Sequence, residues 1–82
     1  MTKYASLGDF LVAKGQPEIK LSFLEIEKIL NFKLPHSAYT YPAWWSNDNT
    51  HSQAKSWLNV GFMTRTVNIP NKTVLFSKNV DN

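Results

Sequence analysis

Aromatic rings and short polar side chains are mixed along the segment YPAWWSNDNTHSQAKSW, which runs from Tyr41 to Trp57. All three tryptophans of the 82-residue chain lie in this segment, and Lys55 lies near its end. Exposed rings stack on nucleobases, and each base stacked on a ring contributes on the order of 1 to 3 kcal/mol. The same rings can form the centre of a protein interface. The segment therefore favours a binding function, with nucleic acid or protein as the partner.

The adjacent Trp44 and Trp45 are not expected to enter the same core pocket, because neighbouring side chains diverge by about 100° on a helix and about 180° on a strand. One indole should be buried and the other at least partly exposed. Trp57 has helical spacing with Ala54 and is expected in the core.

Basic residues dominate the C-terminal half of the chain. Residues 49–80 contain Lys55, Arg65, Lys72 and Lys78 and no acid, whereas residues 1–27 contain three lysines and four acids. The asymmetry favours a polyanionic partner, although four solvated surface charges would have the same pattern.

Sequence patterns typical of catalysis are missing. The chain has no glycine-rich phosphate loop, no cysteine, no paired-carboxylate spacing and no helix-borne metal motif. His36 and His51 are fifteen positions apart without a supporting ligand set, which argues against a metal site. Ser37 next to His36 is not a catalytic triad. We expect a binding module without catalytic residues, metal or cofactor, and not an enzyme.

Length and composition predict one small globular domain over residues 1–82. Hydrophobic residues make up 43% of the chain, which suffices for a small core. The absence of cysteine, of a secretion-type apolar segment and of a membrane-length apolar run predicts a cytoplasmic protein with no membrane partner.

The N-terminal part predicts a helix followed by a strand. Ser6 is a candidate N-cap and Gly15 a candidate left-handed stop, which predicts a first helix over about residues 7–14. Ile19 and Leu21 then alternate with polar residues in EIKLS, as in a short strand.

A second helix is predicted to begin at Phe23. Ser22 and Glu25 have the spacing of a capping box, and Asn31 suits a left-handed helix end. Glu27, partly on the outer face, is expected to pair with a lysine or a backbone amide.

A third helix and a hairpin complete the predicted elements. Thr50 and Gln53 have capping-box spacing, which predicts a helix over about residues 51–60 that Gly61 terminates. The alternating runs FMTRTVNI and TVLFSK around PNK predict a terminal β-hairpin.

The predicted fold is α+β, with the order α-β-α-α-β-β and a three-stranded antiparallel sheet. This order is that of a winged helix-turn-helix, in which the third helix enters the major groove and the hairpin forms the wing. The connection between the second and third helices, from about Phe32 to Asn49, is unusually long, so it should have its own structure or a function. Its PHSAYTY stretch is expected to form one helical turn starting at Pro35.

The runs FLEIEKILNFKLPHSA, AWWSND and SQAKSWLNVGF, followed by a basic hairpin, resemble a small domain of unknown function found in bacterial and phage proteins. That family has the pattern F-x-x-I-E-x-I-L-G, L-P-x-S-A, W-W-x-N and Q-A-x-x-W before a valine-rich hairpin. The resemblance extends from Tyr4 to about Phe76, with Asn31 in place of the glycine. It implies no activity, because none is established for the family.

We therefore predict a nucleic-acid-binding domain, with DNA favoured over RNA. The third helix and the wing would contact phosphates, and in the inserted aromatic loop Trp44 or Trp45 together with Tyr39 or Tyr41 would stack on bases. The predicted contact residues are Ser37, Tyr39, Trp44, Trp45, Asn47, Ser52, Lys55, Asn59, Arg65 and Lys72.

Alternative roles stay open at this point. Ser37 equally fits the cap of a turn, and Asn47 is better explained by an Asx-type bond after Trp45. The alternative function is a protein-interaction module, such as a phage-type inhibitor of a host enzyme or a self-associating, dimeric accessory protein.

Overall fold

The computed structural model describes residues 3–79 as an α+β fold with four α-helices and one three-stranded antiparallel sheet. In chain order the elements are α1 (Ala5–Lys14), β1 (Glu18–Ser22), α2 (Phe23–Leu30), α3 (His36–Thr40), a 3₁₀ turn (Pro42–Trp45), α4 (Ser52–Leu58), β2 (Phe62–Asn68) and β3 (Thr73–Lys78). The predicted α+β class is confirmed, but the element order contains one helix more than the predicted α-β-α-α-β-β.

The last strand occupies the centre of the sheet, whose strand order is β1-β3-β2. Ile19 lies opposite Phe76, and Thr64 lies opposite the same residue from the other side. All three are buried, so this face of the sheet is the one that the core covers. The register then moves to Thr66 opposite Leu75, which leaves Arg65 as the extra residue of a β-bulge.

Helix α1 begins earlier than predicted. Tyr4 occupies the N-cap position without a side-chain cap bond, and Ser6 lies inside the helix, so the predicted Ser6 cap is wrong. Tyr4 is buried and packs edge-on against Phe32 and Trp44, which positions the helix start by tertiary contact. Gly15 takes the predicted left-handed conformation with φ 64°.

The signals around β1 and α2 are confirmed. The backbone N–H of Glu25 donates to Ser22 Oγ at 3.0 Å, and the N–H of Ser22 donates to Glu25 Oε1 at 2.8 Å. Both halves of the capping box therefore form, and α2 begins at Phe23 as predicted. Asn31 closes the helix in the left-handed region at φ 64°.

The long connection after α2 has its own structure. Pro35 is the N-cap of α3 rather than its first residue, and the 3₁₀ turn follows directly after Tyr41. The predicted helical turn is therefore present and forms a fourth helix.

Helix α4, the third helix of the sequence prediction, is shorter than the predicted range 51–60. His51 is its N-cap and Leu58 its last residue. The predicted box of Thr50 and Gln53 is wrong, because both side chains have other partners. Thr50 Oγ1 donates to Asp48 Oδ1 at 2.7 Å, and Gln53 Nε2 donates to a carbonyl of the 3₁₀ turn at 3.1 Å.

The predicted hairpin forms, and its turn contacts the helices. Lys72 has φ 57° in the turn, and its carbonyl accepts the N–H of Phe23 at 2.8 Å. None of the helices within residues 3–79 has the length and apolarity needed to cross a bilayer.

Helices α1 and α4 approach closely at Gly8. A Cβ placed on Gly8 would collide with the carbonyl oxygen of Ser56. Glycine therefore serves here to allow close packing of two backbones, not to supply an unusual dihedral angle.

We expect Gly8→Ala to lower the free energy of unfolding by about 1 to 3 kcal/mol, because separating α1 from α4 costs more than alanine gains in helix propensity. The control is Ser6→Ala, an exposed position of the same helix, which should change stability by less than about 0.5 kcal/mol. Urea denaturation measures both. A Gly8→Ala variant as stable as the parent would contradict the close approach.

Candidate nucleic-acid interface

The two adjacent tryptophans are divided as the sequence predicts. Trp45 is 1% exposed, and its indole N–H donates to the carbonyl of Ala38 at 2.9 Å. Its ring stacks at 4.8 Å on Phe23 and at 6.1 Å on Trp57, which is itself fully buried as expected. Trp45 therefore belongs to the core and offers no free face to a ligand.

Trp44 remains half-buried and lines a surface groove. Its ring makes edge contacts with Tyr4 at 5.9 Å and with Trp45 at 4.7 Å. The groove has a volume of about 490 Å³. We call it the aromatic groove and define it by Ser37, Tyr41, Trp44, His51, Ser52 and Gln53.

Three short elements build the aromatic groove. The N–H of Tyr41 donates to the carbonyl of Ser37 at 2.8 Å, and the N–H of Trp44 donates to the carbonyl of Tyr41 at 3.0 Å. Gln53 of α4 then donates to the carbonyl of Trp44 at 3.1 Å. This chain of bonds connects α3, the 3₁₀ turn and the first turn of α4, so the groove is preformed.

Asn47 joins the inserted segment to the sheet and to α4. Its Oδ1 accepts the indole N–H of Trp57 at 3.0 Å, the N–H of Thr64 at 2.9 Å and the hydroxyl of Thr64 at 3.1 Å. Its Nδ2 donates to the carbonyl of Thr64 at 3.0 Å. The Asx-type bond expected of Asn47 is formed by Asp48 instead, which accepts the N–H of Thr50 at 2.9 Å.

Asp48 also connects to the aromatic groove. The hydroxyl and backbone N–H of Thr50, with His51 nearby, hold the pKa of Asp48 below its usual value. His51 Nε2 lies 4.0 Å from Asp48 Oδ2. The carboxylate thus stays ionised at the rim, next to the imidazole that lines the groove.

Tyr39 points away from the groove. Its hydroxyl donates to Glu27 Oε2 at 2.8 Å, and the same oxygen accepts the N–H of Leu34 at 2.9 Å. Glu27 therefore has the backbone-amide partner that was one of its two predicted options. Burial, together with the hydrogen bond to Glu27 and its charge, raises the pKa of Tyr39 to about 12.

The predicted phosphate-binding side chains lie outside the aromatic groove. Lys55 and Asn59 line a second groove of about 340 Å³, the α1–α4 groove, which is defined by Gly8, Asp9, Lys55, Ser56, Asn59 and Val60. Arg65 is exposed on the bulge of β2, and Lys72 is exposed in the hairpin turn.

The structure thus divides the predicted contact residues into four groups, namely Ser37, Trp44 and Ser52 in the aromatic groove, Lys55 and Asn59 in the α1–α4 groove, Arg65 and Lys72 on the hairpin, and Tyr39, Trp45 and Asn47 in internal contacts.

The predicted contact residues did not include His51 and Gln53, and Tyr41, which is 58% exposed, was predicted only as an alternative to Tyr39 for stacking. Tyr41 and Trp44 are three residues apart across a turn that contains proline, and this spacing already indicates that the two rings lie on the same side of the turn. His51 and Gln53 were assigned to the start of a helix, which concealed their place in the groove. Within residues 3–79, no three His, Cys, Asp or Glu side chains come together as metal ligands would.

Comparison with known proteins gives one match. The family model described as "Domain of unknown function (DUF7662)" matches residues 4–79. No curated protein and no solved structure matches the chain.

We expect Asn47→Ala to lower the free energy of unfolding by about 2 to 4 kcal/mol, because the change removes the Asn47 partner of Trp57 Nε1 and of the backbone N–H and carbonyl of Thr64. The matched control is Asn49→Ala, two residues away and exposed, which should be nearly neutral. Equal denaturation midpoints for the two variants would exclude Asn47 as the connection between the insertion and the sheet.

Tyr39 should also make the free energy of unfolding decrease with pH in the alkaline range. The pKa of Tyr39 is raised from 10.0 to about 12. The stabilisation that its protonated hydroxyl gives to the folded state is therefore complete below pH 10 and is lost as the pH rises through 12. We expect Tyr39→Phe to cost about 1 kcal/mol near neutral pH and to show a smaller loss of stability between these two pH values. The control is Tyr41→Phe, whose denaturation profile should match that of the parent; an unchanged alkaline loss in Tyr39→Phe would refute the assignment.

Proposed function

The chain belongs to the DUF7662 family, whose function is unknown, and we propose that it binds single-stranded nucleic acid through the aromatic groove. The observation that carries this proposal is the pairing of a partly buried indole, Trp44, with the largely exposed ring of Tyr41 along one groove of about 490 Å³. A nucleobase is a flat, mostly apolar ring with a polar edge, and this groove offers both kinds of contact.

Stacking would come from the two rings. Trp44 is held by edge contacts with Tyr4 and Trp45, so its orientation is set before a ligand arrives. A preorganised ring loses little side-chain entropy on binding, which favours stacking. Stacking of this kind does not depend on the identity of the base, because every base has a flat π-face. The hydroxyls of Ser37 and Ser52 lie in the same groove and would contact the base edge.

The phosphate contact nearest to the groove along the chain would come from Lys55. Lys55 follows His51 by four residues and is therefore on the same face of α4. Within residues 3–79, the one ion pair with a separation of 4.0 Å or less joins His51 and Asp48. The ammonium group of Lys55 is thus available to a phosphate.

The proposed frame is a winged helix-turn-helix variant, in which α4 has the position of the recognition helix and the β2–β3 hairpin that of the wing. Its support is the element order, which matches that arrangement once α3 is set aside as part of the insertion. Arg65 and Lys72 then place two further cations on the wing. DNA is favoured over RNA on the same ground.

A protein-interaction module is the second candidate. Its support is Tyr41, one of three large hydrophobic side chains that are strongly exposed among residues 3–79. An exposed tyrosine beside a tryptophan suits the centre of a protein interface. Ionic strength separates the two candidates, since only phosphate binding weakens steeply with salt.

Fluorescence anisotropy of labelled single-stranded oligonucleotides, at about 0.05 M and 0.2 M salt, tests the proposal. We expect Tyr41→Ala to weaken binding by about tenfold, because one stacking ring is lost. Trp44→Ala should weaken it at least as much, and far-UV circular dichroism establishes whether that variant folds. The control is Leu24→Ala, at an exposed apolar position on α2, which should bind the oligonucleotide with the affinity of the parent.

The cations receive a separate test. Combining Lys55→Glu with Arg65→Glu should weaken binding and flatten its dependence on salt, because two phosphate contacts are lost. The proposal fails if this double variant and Tyr41→Ala both bind DNA and RNA with the affinity of the parent.

A further inference from the structure

Resting on the proposed function, we propose that the α1–α4 groove is a second nucleotide subsite of the same strand and that Asp9 makes it select cytosine over thymine. The inference is based on two grooves that lie on one flank of α4 and on Lys55 beside them, which has no ion-pair partner within 4.0 Å among residues 3–79.

Both grooves lie along the same flank of α4. Ser52 lines the aromatic groove and Ser56 lines the α1–α4 groove, and residues four apart lie one above the other on a helix. The opposite walls are also adjacent. Trp44 of the first groove contacts Tyr4, which directly precedes Ala5, and Ala5 also lines the α1–α4 groove. The two grooves are therefore neighbours along α4, within reach of one strand.

The separation suits a short strand. From Ser52 to Asn59 the chain advances seven residues, or about 10 Å along the helix axis. Three stacked base steps of about 3.4 Å each, which join four nucleotides, cover this distance, and an extended strand of three nucleotides covers it in two longer steps. The two grooves together should hold about three nucleotides.

Lys55 supplies a cation between the two subsites. It lines the α1–α4 groove together with Asp9, yet no ion pair of 4.0 Å or less joins the two among the described residues. A phosphate linking the two nucleotides would therefore meet the ammonium group without displacing a carboxylate from it.

The second groove contains polar groups that suit a base edge better than a phosphate. The carboxylate of Asp9 repels phosphate and accepts hydrogen bonds from exocyclic amines. Asn59, with a donor and an acceptor, faces the same space. Cytosine presents an amine at the position where thymine presents a carbonyl, so Asp9 should favour cytosine.

Oligonucleotides of defined length and sequence test the inference by fluorescence anisotropy. For thymidine oligonucleotides, affinity should rise steeply up to about three nucleotides and slowly beyond that. Replacing one terminal thymidine of the trimer by cytidine should raise affinity by about tenfold at one end of the strand only, because the two subsites differ.

Asp9→Asn should abolish this preference for cytosine while it changes the affinity for the thymidine trimer by less than about threefold. Glu18→Gln is the matched control, since it removes one exposed carboxylate from a residue outside both grooves and should keep the preference. Both positions are exposed, so neither change is expected to prevent folding.

The outcomes separate this inference from the proposed function. If the thymidine trimer binds and Tyr41→Ala weakens it, but cytidine gives no advantage or the advantage survives in Asp9→Asn, the second subsite is refuted and the aromatic groove stands. If no oligonucleotide binds, both proposals fall together.

Discussion

The side-chain amide of Asn47 is the contact on which the arrangement of the inserted segment depends. It bonds to Trp57 of α4 and to both backbone groups of Thr64 in β2, which lie ten and seventeen residues further along the chain. Thr64 also donates its hydroxyl to the carbonyl of Trp45 at 2.7 Å. These bonds satisfy the polar groups of a segment that would otherwise be costly to pack against a sheet. The insertion is thereby held as one body with α4 and β2.

A row of aromatic rings extends this connection through the interior. Phe23, Trp45 and Trp57 stack in sequence, and Trp57 contacts Phe76 of the central strand at 5.4 Å. Because the buried ring of Trp45 is fixed on both sides, its neighbour Trp44 is directed to the surface. The partial exposure of Trp44 is therefore a consequence of core packing. Preorganisation of this kind is what allows a small domain to bind without a large ordering cost.

Local signals explain which elements were predictable and which were not. The Ser22 capping box and the left-handed Asn31 involve bonds between residues three or four apart, and no tertiary contact competes with them. Ser6 and Thr50 have equally good local patterns, but neither caps a helix. Burial of Tyr4 positions the start of α1, and Asp48 binds the hydroxyl of Thr50. The start of α1 was therefore decided by a tertiary contact, which outweighs about 1 kcal/mol of capping. At α4 a competing local bond, from Thr50 to a residue two positions away, took the hydroxyl that would have formed the cap.

The sequence by itself determined the α+β class, the membership of a family of unknown function, the limits of α2 and the hairpin, and the division of the tandem tryptophans into one buried and one partly exposed ring. Each of these follows from composition, motif or short-range spacing. Only the tertiary structure decided which tryptophan is buried, that Asn47 binds β2 and not its own turn, and that Tyr41 lies beside Trp44 in one groove. The first two outcomes depend on contacts between residues far apart in the chain, and no local pattern encodes such distances. The third depends on how α3, the 3₁₀ turn and α4 pack together to form the groove.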